Sequence, residues 1–284
     1  MTPDFFMSCL LRNRLAGVSP AALQDALRVA ENRAGTLFIC NKRRRIMSAI
    51  AANLQAVRQR ITTACTLASR DAAGVTLLAV SKTFDADAVR AAHAAGQRLF
   101  GENYVQEGIA KIDALADLRT GANPLHWHFI GPLQSNKTRA VAERFDWVHS
   151  VDRLKIAERL SAQRPDYLPP LQVCLEINIS RQASKHGLLP DFEDVLAVAR
   201  AVAALPRLQL RGLMAVPEPS DDPAAQRQPF ADLRNLADRL REAGIALDTL
   251  SMGMSADLED AIAEGATIVR VGSAIFGARH YANA

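Results

Sequence analysis

From residue 47 onward the chain alternates two kinds of apolar pattern. Residues 47–70 carry Ile50, Leu54, Val57 and Ile61 at three- and four-residue steps, the spacing of one face of an amphipathic helix. Short, β-branched apolar runs of strand length then recur at 76–82 (TLLAVSK), 98–102 (RLFGE), 125–130 (LHWHFI) and 146–151 (DWVHSV). Four more follow at 171–178 (LQVCLEIN), 208–216 (LQLRGLMAV), 247–252 (LDTLSM) and 267–271 (TIVRV). Helical faces lie between them, one marked by Phe192, Val195, Ala199 and Val202, another by Phe230, Leu233, Leu236 and Leu240 and closed by Gly244.

Strands alternating with helices predict parallel strands joined by helical crossovers. Eight such units within residues 47–284 match a (β/α)8 barrel of about 250 residues. An open doubly wound sheet would show a Gly-rich fingerprint after its first strand, and Ser81-Lys82-Thr83-Phe84-Asp85 is not one. The predicted fold is therefore α/β: a single (β/α)8 TIM barrel over residues 47–284 with an N-terminal helix, preceded by an extension over residues 1–46.

The extension differs in pattern and charge. It holds eight basic and three acidic side chains, a net +5 against +4 for the whole chain, so residues 47–284 carry −1. A near-neutral body argues against a nucleic-acid footprint. Asp4 and Arg12 bracket too short an apolar start for a secretory signal. A helix over Pro20–Asn32 capped by Ser19 is predicted, and the Lys42–Arg45 run reads as a solvated charge run. The abrupt change at Met47 suggests that Met47 is the natural start. No apolar run reaches the ~18 residues that span a bilayer. Four scattered cysteines (Cys9, Cys40, Cys65, Cys174) without a CxxC pair read as reduced thiols of a cytoplasmic protein.

Barrel chemistry sits at the C-terminal ends of the strands. Lys82 closes the first run, and its parity with Leu78 and Val80 aims it into the barrel mouth. A desolvated lysine near cations favours the neutral amine that condenses with an aldehyde. After runs seven and eight, Gly253-Met254-Ser255, leading into a helix near Ala256, and Gly272-Ser273 form a candidate phosphate cradle of backbone and hydroxyl donors. Arg270 shares parity with Gly272, which would put a cation beside a bound ring. An aldehyde-reactive lysine, an anion cradle and a ring-side cation together describe a site for pyridoxal 5′-phosphate. A guanidinium remains a donor, so the pyridine nitrogen would stay unprotonated and the cofactor a weakened electron sink.

The segments LLAVSKT (77–83), FGENYVQEG (100–108), WHFIGPLQSNK (127–137), GLMAVP (212–217), SMGMSADLEDAIAEGAT (251–267) and VRVGSAIFGAR (269–279) resemble the pyridoxal-phosphate homeostasis protein family. That family has a barrel related to the N-terminal domain of alanine racemase. The resemblance spans about residues 47–281. It implies that Lys82 forms the Schiff base, that Ser255, Gly272 and Ser273 hold the phosphate, that Arg270 faces the pyridine nitrogen, and that Asn103 and Met254 line the pocket. Many relatives have threonine at position 273, so the hydroxyl is kept and a methyl lost. Ser184-Lys185 also matches a family feature on the loop after the fifth strand, where a transient cofactor contact competes with a solvated loop lysine.

Other residues carry less. His126 and His128 share a strand face but lack a third ligand, so no metal is expected. Tyr104 is placed at a helix start and Cys174 in the core, and the prolines at 217, 219 and 223 mark a loop. Three functions remain in play: a carrier that buffers or delivers pyridoxal phosphate to apoenzymes without turnover, a racemase or decarboxylase-type enzyme, and a cofactor-free Schiff-base aldolase. Alanine racemase relatives use a second domain whose tyrosine acts as the opposing base across a dimer. Only a few residues follow Gly277, Tyr281 among them, so the expectation is a monomeric, non-enzymatic carrier.

Overall fold

The computed structural model describes residues 47–277. The helix expected at Pro20–Asn32, the Lys42–Arg45 run and Tyr281 lie outside the described residues. Helix α1 (47–67) buries Ile50, Leu54, Val57 and Ile61, the four residues of its periodic face. Eight strands follow: β1 (Thr76–Val80), β2 (Leu99–Glu102), β3 (His126–Phe129), β4 (Trp147–Val151), β5 (Leu171–Glu176), β6 (Leu208–Met214), β7 (Thr249–Ser251) and β8 (Ile268–Val271). They are parallel and close in sequence order, with β8 laddered to β1 from Thr76↔Ile268 to Ala79↔Val271.

Helices α2 (Ala86–Ala94), α3 (Val105–Ala114), α4 (Thr138–Arg144), α5 (Leu154–Gln163), α6 (Phe192–Ala203), α7 (Pro223–Glu242), α8 (Leu258–Ala263) and α9 (Ser273–Phe276) follow the strands in turn. Local chemistry starts several of them. Asp85 accepts the Ala88 N–H at 2.9 Å to cap α2, and Asp222 caps α7 ahead of Pro223 at its first position. The faces read from periodicity are buried: Val195, Ala199 and Val202 on α6, and Phe230, Leu233, Leu236 and Leu240 on α7.

Strands covered on both sides explain the near-continuous apolar runs. On β3, Trp127 and Phe129 pack toward the helical layer, Trp127 against Phe100 (centroids 5.8 Å) and Phe129 edge-on to Phe145 (5.5 Å). All four rings are fully buried, worth about 1.5–3 kcal/mol each by apolar burial. Closure also needs one bare backbone position: a Cβ on Gly212 would sit 1.7 Å from the Thr249 carbonyl oxygen, so β6 and β7 approach only with glycine there.

The strands are shorter than their apolar runs. β1 stops at Val80 and β7 is cut to Thr249–Ser251, although Ser81 and Met252 just beyond them stay buried and still donate to the Gly101 and Ile268 carbonyls. The helix expected to begin near Ala256 starts at Leu258, with Asp257 at its cap position.

Candidate functional site

At the C-terminal end of the strands the described residues enclose a cavity of 340 Å³, within the size range of small-ligand sites. All seven residues singled out from sequence line it: Lys82, Asn103 and Met254, then Ser255, Arg270, Gly272 and Ser273. Phe84, Ile130 and Val216 complete its apolar wall, Phe84 being stacked on Phe276 at 5.1 Å. These three were missed, since nothing in a lone apolar residue distinguishes a pocket wall from a core.

Lys82 is not the last residue of a strand. The Ser81 N–H makes a last strand-like bond to the Gly101 oxygen at 3.0 Å, and the Ser81 oxygen accepts from the Phe84 N–H at 3.1 Å. Lys82 is thus the second residue of a tight turn, half-buried, and reaches the cavity from there. Asn103 follows β2 directly. A Cβ on Gly131 would fall 2.2 Å from the Asn103 carbonyl oxygen, so glycine lets the loop after β3 press Asn103 against the mouth. Asn103 is one of the residues lining the cavity, and its Oδ1 is buried with no hydrogen-bond partner among the described residues.

The β7 and β8 ends meet on the other flank of β1, β8 being its direct neighbour in the barrel. The Ser273 hydroxyl donates to the Ser255 hydroxyl at 3.3 Å, bringing two donors to one spot. Helix α1 braces this corner. Arg60 pairs with Glu259 (2.7 Å) and donates to the Ser255 carbonyl (3.1 Å), and Asn53 donates to the Ile275 carbonyl (2.9 Å). Periodicity identified the buried face of α1 but not these polar residues beside it.

Arg270 is buried, and its guanidinium is held from three sides. One nitrogen donates to the Ser251 carbonyl (2.6 Å) and hydroxyl (2.8 Å), the other to the Ala215 carbonyl (2.8 Å). Burial lowers its pKa to about 10, opposed by the Asp257 and Glu176 charges, so it stays cationic at neutral pH. Behind it runs a buried chain. His149 Nδ1 lies 2.8 Å from the Ser251 hydroxyl, and His149 Nε2 lies 2.9 Å from His128 Nδ1. Burial, then the charge of His126, pushes His128 down to about 3; burial, then His128 and Arg270, pushes His149 well below the ordinary range. Both rings are neutral at pH 7. The guanidinium can only donate, so the Ser251 oxygen accepts from it, and at the far end of the chain His128 Nε2 is buried with no partner among the described residues.

Only His128 of the His126/His128 pair is buried; His126 is exposed. The partner that sequence spacing could not supply is His149, from the neighbouring strand. Among the described residues no group of three or more His, Cys, Asp or Glu side chains could hold a metal ion. Tyr104 is exposed at the cap position of α3, and Cys174 is fully buried. Lys185 donates to the Val216 carbonyl at 3.1 Å, next to the cavity wall.

The residues fit a small anionic aldehyde: an amine after β1, paired hydroxyls at the ends of the neighbouring β7 and β8, and a fixed cation on β8, all lining one cavity. Fold and site define a barrel of the alanine racemase N-terminal type, and the model for that family, "Alanine racemase, N-terminal domain", matches residues 47–280. The chain is 62% identical over 235 residues to the pyridoxal phosphate homeostasis protein of Pseudomonas aeruginosa, covering 83% of this chain and 98% of that one. It is 52% identical to the protein of that name from Escherichia coli over 83% and 99% of the two chains. A solved structure of PipY from Synechococcus elongatus with PLP bound superposes at a TM-score of 0.68 with 40% identity, covering 80% of this chain and all of that one. The chain belongs to the pyridoxal phosphate homeostasis protein family, within the wider alanine racemase N-terminal domain family.

Proposed function

We propose that this protein holds pyridoxal 5′-phosphate covalently on Lys82 and buffers or delivers it inside the cell, without turnover of its own. The observation that carries the reading is the convergence of Lys82, the Ser255–Ser273 pair and Arg270 on one cavity. The names of the relatives, and PLP in the PipY structure, support it. When bound, the cofactor supplies an aldehyde that condenses with an amine to a Schiff base and water.

This chain's residues have separate tasks in that reading. Lys82 presents the amine. Ser255, Ser273 and the backbone at Gly272 bind the phosphate, and their place at the ends of β7 and β8 matches the usual phosphate position in barrels. Arg270, pinned by Ser251 and Ala215, donates toward the pyridine nitrogen and keeps it unprotonated. Asn103 and Met254 hold the ring from the side. The protein acts as a cytoplasmic monomer, with residues 47–284 as the working barrel and residues 1–46 as an appended segment. Apoenzymes that need the cofactor are the recipients.

The test is the visible absorbance of purified protein before and after borohydride reduction, followed by peptide mapping. A band that vanishes in Lys82→Ala, with modification mapping to Lys82, is the expected result. A full band in that variant, mapping to Lys185, would overturn the assignment. Robust racemisation of an amino acid by the purified protein would overturn the non-enzymatic reading, and a colourless protein that cleaves sugar phosphates would favour the aldolase.

A further inference from the structure

Beneath the Lys82 turn lies an ionic cluster that takes no part in the cavity. Lys111 of α3 is buried, and its ammonium donates to the Glu102 carboxylate (2.7 Å), the Glu107 carboxylate (2.7 Å) and the Ser81 carbonyl (2.6 Å). The Ser81 hydroxyl donates to the same Glu102 oxygen at 2.6 Å, and the Thr83 N–H donates to Glu107. The cluster thus grips the chain on both sides of Lys82. The Ser81 carbonyl belongs to the peptide unit before the Lys82 Cα, and the Thr83 N–H to the unit after it. Holding both planes leaves φ and ψ of Lys82 almost no freedom.

The backbone carries the mark of that grip. Thr83, the third residue of the turn, sits at φ +69, a left-handed conformation poorly suited to a β-branched residue. Such strain persists only where its surroundings over-determine it, and it concentrates at functional sites. Glycine would relieve it but would free the turn.

We infer that Lys111, with Glu102 and Glu107, is a positioning residue that presets the Lys82 amine for capture of the cofactor aldehyde. This rests on Lys82 being the cofactor-bearing lysine. A preset amine loses less conformational freedom when it is captured, so the cluster speeds capture without touching the cofactor.

The experiment uses the full chain prepared free of cofactor. Replacing Lys111 would strand two carboxylates and endanger folding, so the variants are at Glu107, which is half-exposed. Glu107→Ala removes the Thr83 acceptor and one Lys111 partner; Glu107→Gln keeps a carbonyl oxygen in the same place. In Glu107→Ala, amide hydrogen exchange at Thr83 should rise about 10-fold before any cofactor is added. Capture of pyridoxal phosphate, followed by absorbance, should slow about 10- to 100-fold. Glu107→Gln should restore both to within about 3-fold, since the acceptor is retained. Arg90→Ala, which breaks the exposed pair to Asp117, should change neither. Exchange and capture at wild-type rates in Glu107→Ala overturn the inference. If Lys82→Ala retains the band, the identity of the lysine has failed, and the exchange result still decides whether the cluster holds the turn. If Lys82→Ala loses the band while Glu107→Ala captures normally, only the inference has failed.

Discussion

The two ends of the barrel hold cavities of nearly equal size, 340 Å³ at the strand C-termini and 330 Å³ at the N-termini, but their polar groups are arranged differently. At the N-terminal end Arg211 pairs with Asp248 at 2.5 Å, donates to Gln172 at 2.8 Å and lies 5.1 Å from the Trp147 ring centre. His128 stacks on the same ring. The Arg211 charge is neutralised there within the wall, while His128 Nε2 is buried with no partner among the described residues. At the C-terminal end the side chains of Lys82, Arg270, Ser255 and Ser273 line one shared space. Equal volumes therefore carry different chemistry: an ion pair closed within the wall at one end, and an amine, a cation and two hydroxyls around one cavity at the other. The chain through Ser251, His149 and His128 joins the two ends, and its neutral rings fix the direction of Arg270 without adding charge.

Substitutions at each end can break this contrast. The largest effect is expected at the mouth, where Ser255→Ala with Ser273→Ala removes two hydroxyl bonds to an anion. At about 1.5–3 kcal/mol per charged hydrogen bond, affinity for pyridoxal phosphate should fall about 100-fold or more, while cofactor-free stability moves by less than about 0.5 kcal/mol. Unchanged affinity by equilibrium titration would remove the serines from the cradle. At the opposite end, Arg211→Met should lower stability by about 1 kcal/mol in chemical denaturation, because its ion pair is part-exposed and screened. Cofactor capture should be untouched, and a loss of capture would show that the N-terminal cavity takes part in binding.

A further effect concerns pH. Glu176, at the end of β5, has its carboxyl raised from 4.5 to about 7, first by burial and then by the Asp152 charge, with Arg270 opposing. An acid raised in the folded state binds its proton more tightly there than when unfolded. Its stabilising contribution is complete below about pH 4.5 and is lost as pH climbs to about 7. Glu176→Gln should therefore flatten the fall in melting temperature between those values. A slope identical to wild type would mean that Glu176 titrates normally.

Much of the architecture was legible beforehand. Strands buried on both faces must be apolar along their length, so the eight runs stood out even where their ends were drawn one to three residues too long. A barrel confines chemistry to strand ends, which pointed to Lys82, Arg270 and the two glycine–serine loops as candidates, with Asn103 and Met254 added by the family resemblance, and all of them line one cavity. His149 and Ser251 were not, because each sits inside an ordinary strand run and gains its meaning only from a neighbour on another strand. In sequence Glu102 closes a strand run, while Glu107 and Lys111 fall in the helix that follows it. Only Glu107 and Lys111 stand at helical pairing distance, and nothing local says that Glu102 and Ser81 complete the cluster.

The order of residues alone determined the alternation of strand and helix, the closure into eight units and the candidate lysine, serines and arginine, because burial periodicity and turn chemistry act over a few neighbouring positions. Tertiary structure decided which groups satisfy one another: that Arg270 leans on Ser251 and Ala215, and that Lys111 holds the chain before Lys82 while its partner Glu107 holds it after. Hydrogen bonds and ion pairs depend on distances of about 3 Å between atoms, and across a barrel those distances exist only once all eight strands have closed.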